Sequence, residues 1–240
     1  FGTLAGFSLG ATLMLTFSLL LGDEAMHAWG WRIPFLIAAP MGLIGMYLRV
    51  RMEDTPVFRT REAASESQPS PGLATLLQRH WRPMLVVGGL VVALNVANYT
   101  LLSYMPTYLQ RRIGLSPDGA LTVPLVGMLF MMLFLPFAGR LSDRVGRRPM
   151  WRFSLIGLLL LATPLYMLMG TGLIGACVGF ILLGLLYVPQ LATISATFPA
   201  MFPTNVRFAG FASAYNISTS IFGGTAPAVS SGLITITGNE

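Results

Sequence analysis

The chain has 240 residues, of which 54% are hydrophobic and only 10% are charged. Its mean hydropathy of +0.70 excludes an ordinary soluble domain and favours an integral membrane protein. The formal net charge is +6, and all fifteen basic residues are Arg. Because these arginines stand between long apolar runs, they indicate anchoring beside a membrane, which explains the basic charge better than nucleic-acid binding does.

Seven segments are long and apolar enough to cross a hydrocarbon layer of roughly 30 Å. They are residues 1–21, 31–50, 84–109, 120–139, 151–170, 172–198 and 208–237. Pro106, Pro189 and Pro227 lie within three of these segments and are expected to kink them. Gly2, Gly6 and Gly10 recur every four residues, a spacing that predicts close packing against another helix. The segments together predict an all-α integral membrane protein with about seven transmembrane helices.

The arginines predict the orientation of these spans. Six lie between the second and third segments, five lie around the link between the fourth and fifth, and Arg207 precedes the seventh. Only Arg32, Arg111 and Arg112 fall on the other side. The positive-inside rule therefore makes the side with twelve arginines cytoplasmic.

The longest link between spans predicts a domain boundary. Residues 65–72 within it are rich in Ser, Pro and Gln, a composition typical of a flexible linker. We therefore expect residues 1–50 to end one helix bundle, residues 51–82 to form a cytoplasmic loop, and residues 83–240 to belong to a second bundle.

The link between the fourth and fifth spans reads GRLSDRVGRRP, residues 139–149. Gly139 and Gly146 predict tight backbone turns, and Pro149 suits the first turn of the following helix. Asp143 is the only acid among neighbouring arginines, so we expect it to have a partner. The positive end of a helix is one such partner for a carboxylate.

This stretch resembles the signature loop of the major facilitator superfamily, whose members have two six-helix bundles. The resemblance implies that the seven spans are helices five to eleven of twelve, and that the chain is part of a longer protein lacking the twelfth helix here. Residues 29–58, 95–109 and 198–218 resemble the metabolite:proton symporter branch, and within it the carriers of zwitterionic osmolytes such as proline and glycine betaine.

The resemblance also implies a cytoplasmic gate between the two bundles. Asp143 is expected to contact the start of helix five, at the Phe1 end of the chain. A topology anchor with a tight turn is the alternative interpretation of the same residues. The implied gate residues are Gly139, Asp143, Arg144, Gly146, Arg147, Arg148 and Arg207.

Neutral polar residues form a stripe on each of three spans. Inside a membrane such side chains face protein or a water-filled cavity, so they are candidates for a substrate cavity, with interhelical hydrogen bonding as the alternative. The tyrosines suit a quaternary ammonium group, which aromatic faces attract. The candidates are Asn95, Asn98, Tyr99, Ser103, Tyr187, Gln190, Tyr215 and Asn216.

Together with these features, the resemblance implies a secondary transporter of a bacterial plasma membrane, working by alternating access. We expect proton-coupled uptake of zwitterionic osmolytes; a proton symporter for an organic acid such as citrate, 2-oxoglutarate or shikimate is the alternative. The expected partners are a small-molecule substrate, protons and the lipid bilayer, with no cofactor and no nucleic acid. An enzyme is not expected, because no span interior holds Asp, Glu or His, and the residues that couple transport to the proton gradient are expected elsewhere in the protein.

Overall fold

A computed structural model describes residues 1–51, 73–204 and 206–237, and the described residues form helices joined by short links. The predicted linker at residues 65–72 lies outside this range. The helices are α1 (Gly2–Ala28), α2 (Ile33–Arg51), α3 (Leu73–Asn98), α4 (Met105–Arg111), α5 (Pro117–Val145), α6 (Arg147–Met169), α7 (Leu173–Ala200), α8 (Arg207–Ser218) and α9 (Gly224–Thr237). An all-helical architecture satisfies every backbone group internally, as hydrocarbon requires.

Within the described residues, six helical stretches have the length and apolar composition needed to cross a membrane. They are Gly2–Gly22, Gly30–Arg51, Gln78–Arg111, Pro117–Val145, Arg147–Met169 and Leu173–Ala200, and each corresponds to a predicted span. The seventh predicted span is helical from Arg207 to Thr237 but is not among these six. Its many Gly, Ser and Thr residues make it less apolar than the others.

Two of the predicted proline kinks coincide with π-helical turns. The wide turns Tyr99–Tyr104 and Thr219–Gly223 join α3 to α4 and α8 to α9. Each includes the residue four positions before a proline, Leu102 before Pro106 and Gly223 before Pro227. Proline has no N–H to donate to the carbonyl of the residue four positions earlier, and the proline ring collides with that carbonyl. The backbone hydrogen bonds of the helix therefore shift to the wider π spacing. By contrast, α7 continues as α-helix through Pro189.

The core is centred on α7, which packs against α5 on one side and α6 on the other. Small residues allow these close approaches. A Cβ at Gly127 of α5 would overlap the ring of Phe180, and one at Gly184 of α7 would lie 2.9 Å from Cγ of Met131. In lipid, the hydrophobic effect does not drive helices together. Glycine lets the helix backbones approach closely, so van der Waals contact stabilises the interface instead.

The first two helices lie at the edge of this core. Helix α1 contacts α5, whereas α2 contains no buried residue. The Gly2, Gly6 and Gly10 stripe is not closely packed, because a Cβ at any of the three would meet nothing within 4 Å. Instead these glycines border a cleft between α1, α4 and α5. The predicted close packing of this stripe is therefore absent among the described residues.

The glycine contacts predict a difference between two substitutions in α5. Gly127→Ala places a methyl group in the Phe180 ring, whereas a Cβ at Gly139 meets nothing within 4 Å. We expect Gly127→Ala to be less stable than Gly139→Ala by about 1–3 kcal/mol, because both gain the same helix propensity and only one overpacks the core. Thermal unfolding of the detergent-purified variants measures this difference. Equal melting temperatures would contradict the packing of α5 on α7.

Candidate functional site

Helices α3, α8 and α9 meet along a line of polar and small residues. Asn95 is only 2% exposed, and its Nδ2 donates a hydrogen bond of 2.9 Å to Oγ1 of Thr219. One turn further along, the ring of Tyr99 lies against Gly223. Two of the predicted cavity residues therefore contribute to contacts between helices, and Asn95 has the role of interhelical hydrogen bonding that the sequence left open.

The other polar residues of this region keep free polar atoms. Asn98 is half-buried, and its Oδ1 is screened from solvent without a donor among the described residues. Tyr99 is also half-buried, and Ser103 is exposed. A buried acceptor without a donor is uncommon in native proteins. Asn98 is therefore a candidate acceptor for a donor from outside the chain.

Two predicted cavity residues on α7 lie inside the helix bundle. Tyr187 and Gln190 are both 0% exposed. Nε2 of Gln190 donates to Oγ of Ser154 at 2.8 Å, and that hydroxyl donates to the backbone oxygen of Leu186 at 2.5 Å. These two hydrogen bonds link α6 to α7, so the amide nitrogen of Gln190 serves the helix interface in this structure. Oε1 of Gln190 and the hydroxyl of Tyr187 are buried without a hydrogen-bond partner among the described residues.

The amino-acid sequence alone does not single out Ser154, because a single Ser in an apolar span resembles many neutral positions. The sequence feature that could have identified Ser154 is its position in the predicted fifth span, whose interior has few other polar side chains. A polar residue there must find a partner on a neighbouring helix. Gln190 is that partner.

The predicted residues on α8 lie at its surface. Tyr215 is half-buried and Asn216 is exposed. The Tyr215 ring packs on Phe211 with a centroid distance of 5.5 Å, and Phe211 lies 6.3 Å from the ring of Phe198 on α7. Phe198 in turn lies 5.3 Å from Trp151 on α6. Four aromatic rings thus connect α6, α7 and α8 near the arginine-rich stretch.

The arginine-rich stretch is not a loop. Residues up to Val145 continue α5, and α6 begins at Arg147, so Gly146 alone separates the two helices. Its φ of +95° is a conformation that glycine adopts without strain. The predicted turn at Gly146 is confirmed. The predicted turn at Gly139 is wrong, because Gly139 lies inside α5 and needs no special backbone geometry.

Asp143 faces the end of α7 and not the start of α1. It is exposed, and no ion pair involves it within the described residues. It borders a cleft of about 460 Å³ together with Arg147, Arg148, Thr197 and other residues of α5 to α7. Phe1 lies instead in a separate cleft beside Phe137 and Arg140. The predicted contact between Asp143 and the Phe1 end is absent from this structure.

The arginines of the predicted gate differ in their contacts. Nη1 of Arg147 donates to the backbone oxygen of Ala196 at 2.6 Å, in the last turns of α7, where the helix dipole favours a positive charge. Nε of Arg207 donates to the backbone oxygen of Phe202 at 3.3 Å and so holds the short link between α7 and α8. Arg144 and Arg148 are exposed.

The opposite end of α5 carries a contact that the sequence did not indicate. Oγ of Ser18 on α1 lies 3.4 Å from Oδ1 of Asp118, in the first turn of α5. Ser116 caps the same helix end by accepting a hydrogen bond from the N–H of Gly119. Helix α1 is therefore joined to α5 at the end remote from Asp143.

A bundle of membrane-length helices, with polar residues at the helix contacts and arginines gathered at two helix ends, defines a polytopic membrane protein. The sequence matches the Major Facilitator Superfamily over residues 2–231, and the chain belongs to that family. This confirms the resemblance drawn from the Gly139–Pro149 stretch.

Several curated bacterial proteins resemble the chain over nearly its whole length. The ectoine/proline transporter ProP of Corynebacterium glutamicum is 39% identical over 99% of this chain and 50% of its own. The glycine betaine/proline/ectoine/pipecolic acid transporter OusA of Dickeya dadantii is 39% identical over 98% of this chain and 48% of its own. The proline/betaine transporter of Escherichia coli K12 is 38% identical over 93% of this chain and 46% of its own. The chain thus spans about half the length of these relatives. No solved structure matches it significantly.

Proposed function

We propose that the protein transports zwitterionic osmolytes such as proline and glycine betaine across a bacterial plasma membrane, coupled to protons. The observation that carries this proposal is the 39% identity over 99% of the chain to a protein named as an ectoine and proline transporter. Osmolytes of this kind combine a carboxylate with an ammonium group and have no net charge. A site for them needs polar contacts for both groups without a large charge of its own.

The polar residues around the π-turns suit such a substrate. Asn98 offers a free acceptor and an amide donor, Ser103 is exposed, and the half-buried Tyr99 has an aromatic face for an ammonium group. Tyr215 and Asn216 lie at the surface of α8. We assign these five residues to the transport path. Asn95, Tyr187 and Gln190, which are buried, belong to its supporting structure.

Alternating access requires contacts that form in one state and break in the other. Asp143 is exposed and unpaired here within the described residues, so it is free to bind a helix end when the cytoplasmic side closes. The contact of Ser18 with Asp118 joins α1 to α5 at the other end. Because Phe1 shares a cleft with Phe137 and Arg140 near Asp143, α1 lies beside α5 at both ends in this structure.

Uptake measurements test the proposed substrate class. Cells that express the protein at its full natural length are expected to accumulate labelled glycine betaine and proline. An excess of a dicarboxylate is expected to leave this uptake unchanged, because the assigned residues carry no positive charge for a second carboxylate. Collapse of the proton gradient should abolish accumulation. Dicarboxylate uptake without betaine uptake would reverse the assignment in favour of an organic-acid carrier.

A charge-removing substitution tests the gate. Asp143→Asn keeps the volume of the side chain but removes the charge that attracts a helix end, a contact worth up to about 2 kcal/mol. We expect uptake to slow by roughly two- to thirty-fold at unchanged amounts of protein in the membrane. Uptake rates normalised to membrane content measure this effect. A normalised rate equal to that of the unmodified protein would leave Asp143 as a topology determinant only.

A further inference from the structure

The two π-helical turns lie in helices that pack against each other. The turn Thr219–Gly223 contacts α3, and the turn Tyr99–Tyr104 contacts α9. A π-turn is less stable than α-helix and is common at functional sites, where it alters the direction of side chains. Here each wide turn begins with a residue that contacts the other helix pair: Tyr99 meets Gly223, and Thr219 meets Asn95.

Gly223 determines the space available to Tyr99. It is buried, and a Cβ at this position would lie 2.7 Å from Cε2 and 3.3 Å from Cζ of the Tyr99 ring. No side chain fits there unless the ring moves, because 2.7 Å is far inside the van der Waals contact of two carbon atoms. The next residue provides a comparison, since a Cβ at Gly224 would meet nothing within 4 Å.

The hydrogen bond from Asn95 to Thr219 holds the same helices in register. Asn95 precedes Tyr99 by four residues and therefore lies on the same face of α3, as Thr219 and Gly223 do on theirs. Gly88, about two turns earlier on α3, also approaches α8 closely, because its Cβ would lie 3.3 Å from Oγ of Ser218. The two helices thus have little freedom to slide where Tyr99 lies.

We infer that Gly223 and the Asn95–Thr219 hydrogen bond are positioning elements that orient the Tyr99 ring toward the substrate. This inference rests on the proposed function, in which the face of Tyr99 contacts the ammonium group. Gly223 and Thr219 act through Tyr99 and touch no substrate themselves. Ammonium binding by an aromatic face depends on the position of the ring, so a displaced ring loses affinity while other steps of transport continue.

Matched glycine substitutions test this inference in the protein at its full natural length. Gly223→Ala is expected to raise the KM for glycine betaine by about 2- to 30-fold, the range that loss of one cation–π contact gives, with a much smaller change in kcat. Gly224→Ala adds the same methyl group one residue later and is expected to leave both constants unchanged. A purely structural role would instead lower the amount of active protein, and so kcat, with KM unaltered.

A double-substitution cycle shows whether Gly223 acts through Tyr99. In a Tyr99→Ala background the ring that would collide with the new methyl group is gone. We therefore expect Gly223→Ala to have no further effect on KM in that background. Equal effects of Gly223→Ala in both backgrounds would overturn the inference.

A measurement that needs no substrate separates this inference from the proposed function. Fluorotyrosine at position 99 reports the surroundings of the ring through its ¹⁹F resonance. We expect Gly223→Ala to shift this resonance and Gly224→Ala to leave it in place. An unshifted resonance in Gly223→Ala overturns the inference whatever the protein transports, as does a shifted resonance with unchanged KM. Absence of betaine and proline uptake in the unmodified protein refutes the proposed function while leaving the ring contact itself intact.

Discussion

Hydrocarbon offers no hydrogen-bonding partner to a peptide group, and the rest of this structure follows from that constraint. The described spans meet it with helices, and prolines disturb the backbone ladder at particular points. At Pro106 and Pro227 the ladder widens into π-turns, and those turns face each other across α3, α8 and α9. The Asn95–Thr219 hydrogen bond joins the helices at the same level. In these spans the irregular backbone therefore coincides with a specific contact between helices.

The same constraint divides the polar side chains into two groups. Ser154 and Gln190 bond to each other between α6 and α7, and both are fully buried. Such pairs specify how helices pack, with a modest energy that averages about 0.6 kcal/mol in membrane proteins. In the second group, Asn98 is half-buried, and Ser103 and Asn216 are exposed. Oδ1 of Asn98 has no donor among the described residues, but neither has Oε1 of the fully buried Gln190, so exposure is what separates the two groups. This second group is the one available to a polar substrate.

Most of the architecture was predictable from the sequence because hydropathy decides which segments enter a membrane. Six predicted spans, the turn at Gly146 and the helix-starting role of Pro149 follow from properties of single residues and short segments. The arginine-rich stretch was enough to indicate the family, because its glycines, charged residues and proline form a motif within one short segment of the chain. The pattern at residues 139–145 nevertheless suggested a loop where α5 continues, because charge and helix are compatible at a membrane surface.

The candidate site was less predictable, since the direction of a side chain depends on neighbours distant in sequence. A helical wheel places Asn95 and Asn98 on one side of α3, yet only Asn95 meets Thr219, which follows 124 residues later. Tyr187 and Gln190 form a stripe on α7 that faces α6 and the core instead of an open cavity. For Asp143, the predicted contact with the start of α1 is absent from this structure. Sequence periodicity contains no information about which conformation is present.

Accessibility of single cysteines measures most directly whether the transport path follows α3 and α8 and avoids the α6–α7 interface. Cys177 is the only cysteine in these 240 residues, so Cys177→Ser, together with replacement of any cysteine elsewhere in the full-length protein, provides the background. We expect Asn98→Cys and Asn216→Cys to react with a hydrophilic thiol reagent, and glycine betaine to slow the reaction at position 98. Gln190→Cys should not react. Rapid, betaine-sensitive modification at position 190 with an unreactive position 98 would contradict this account.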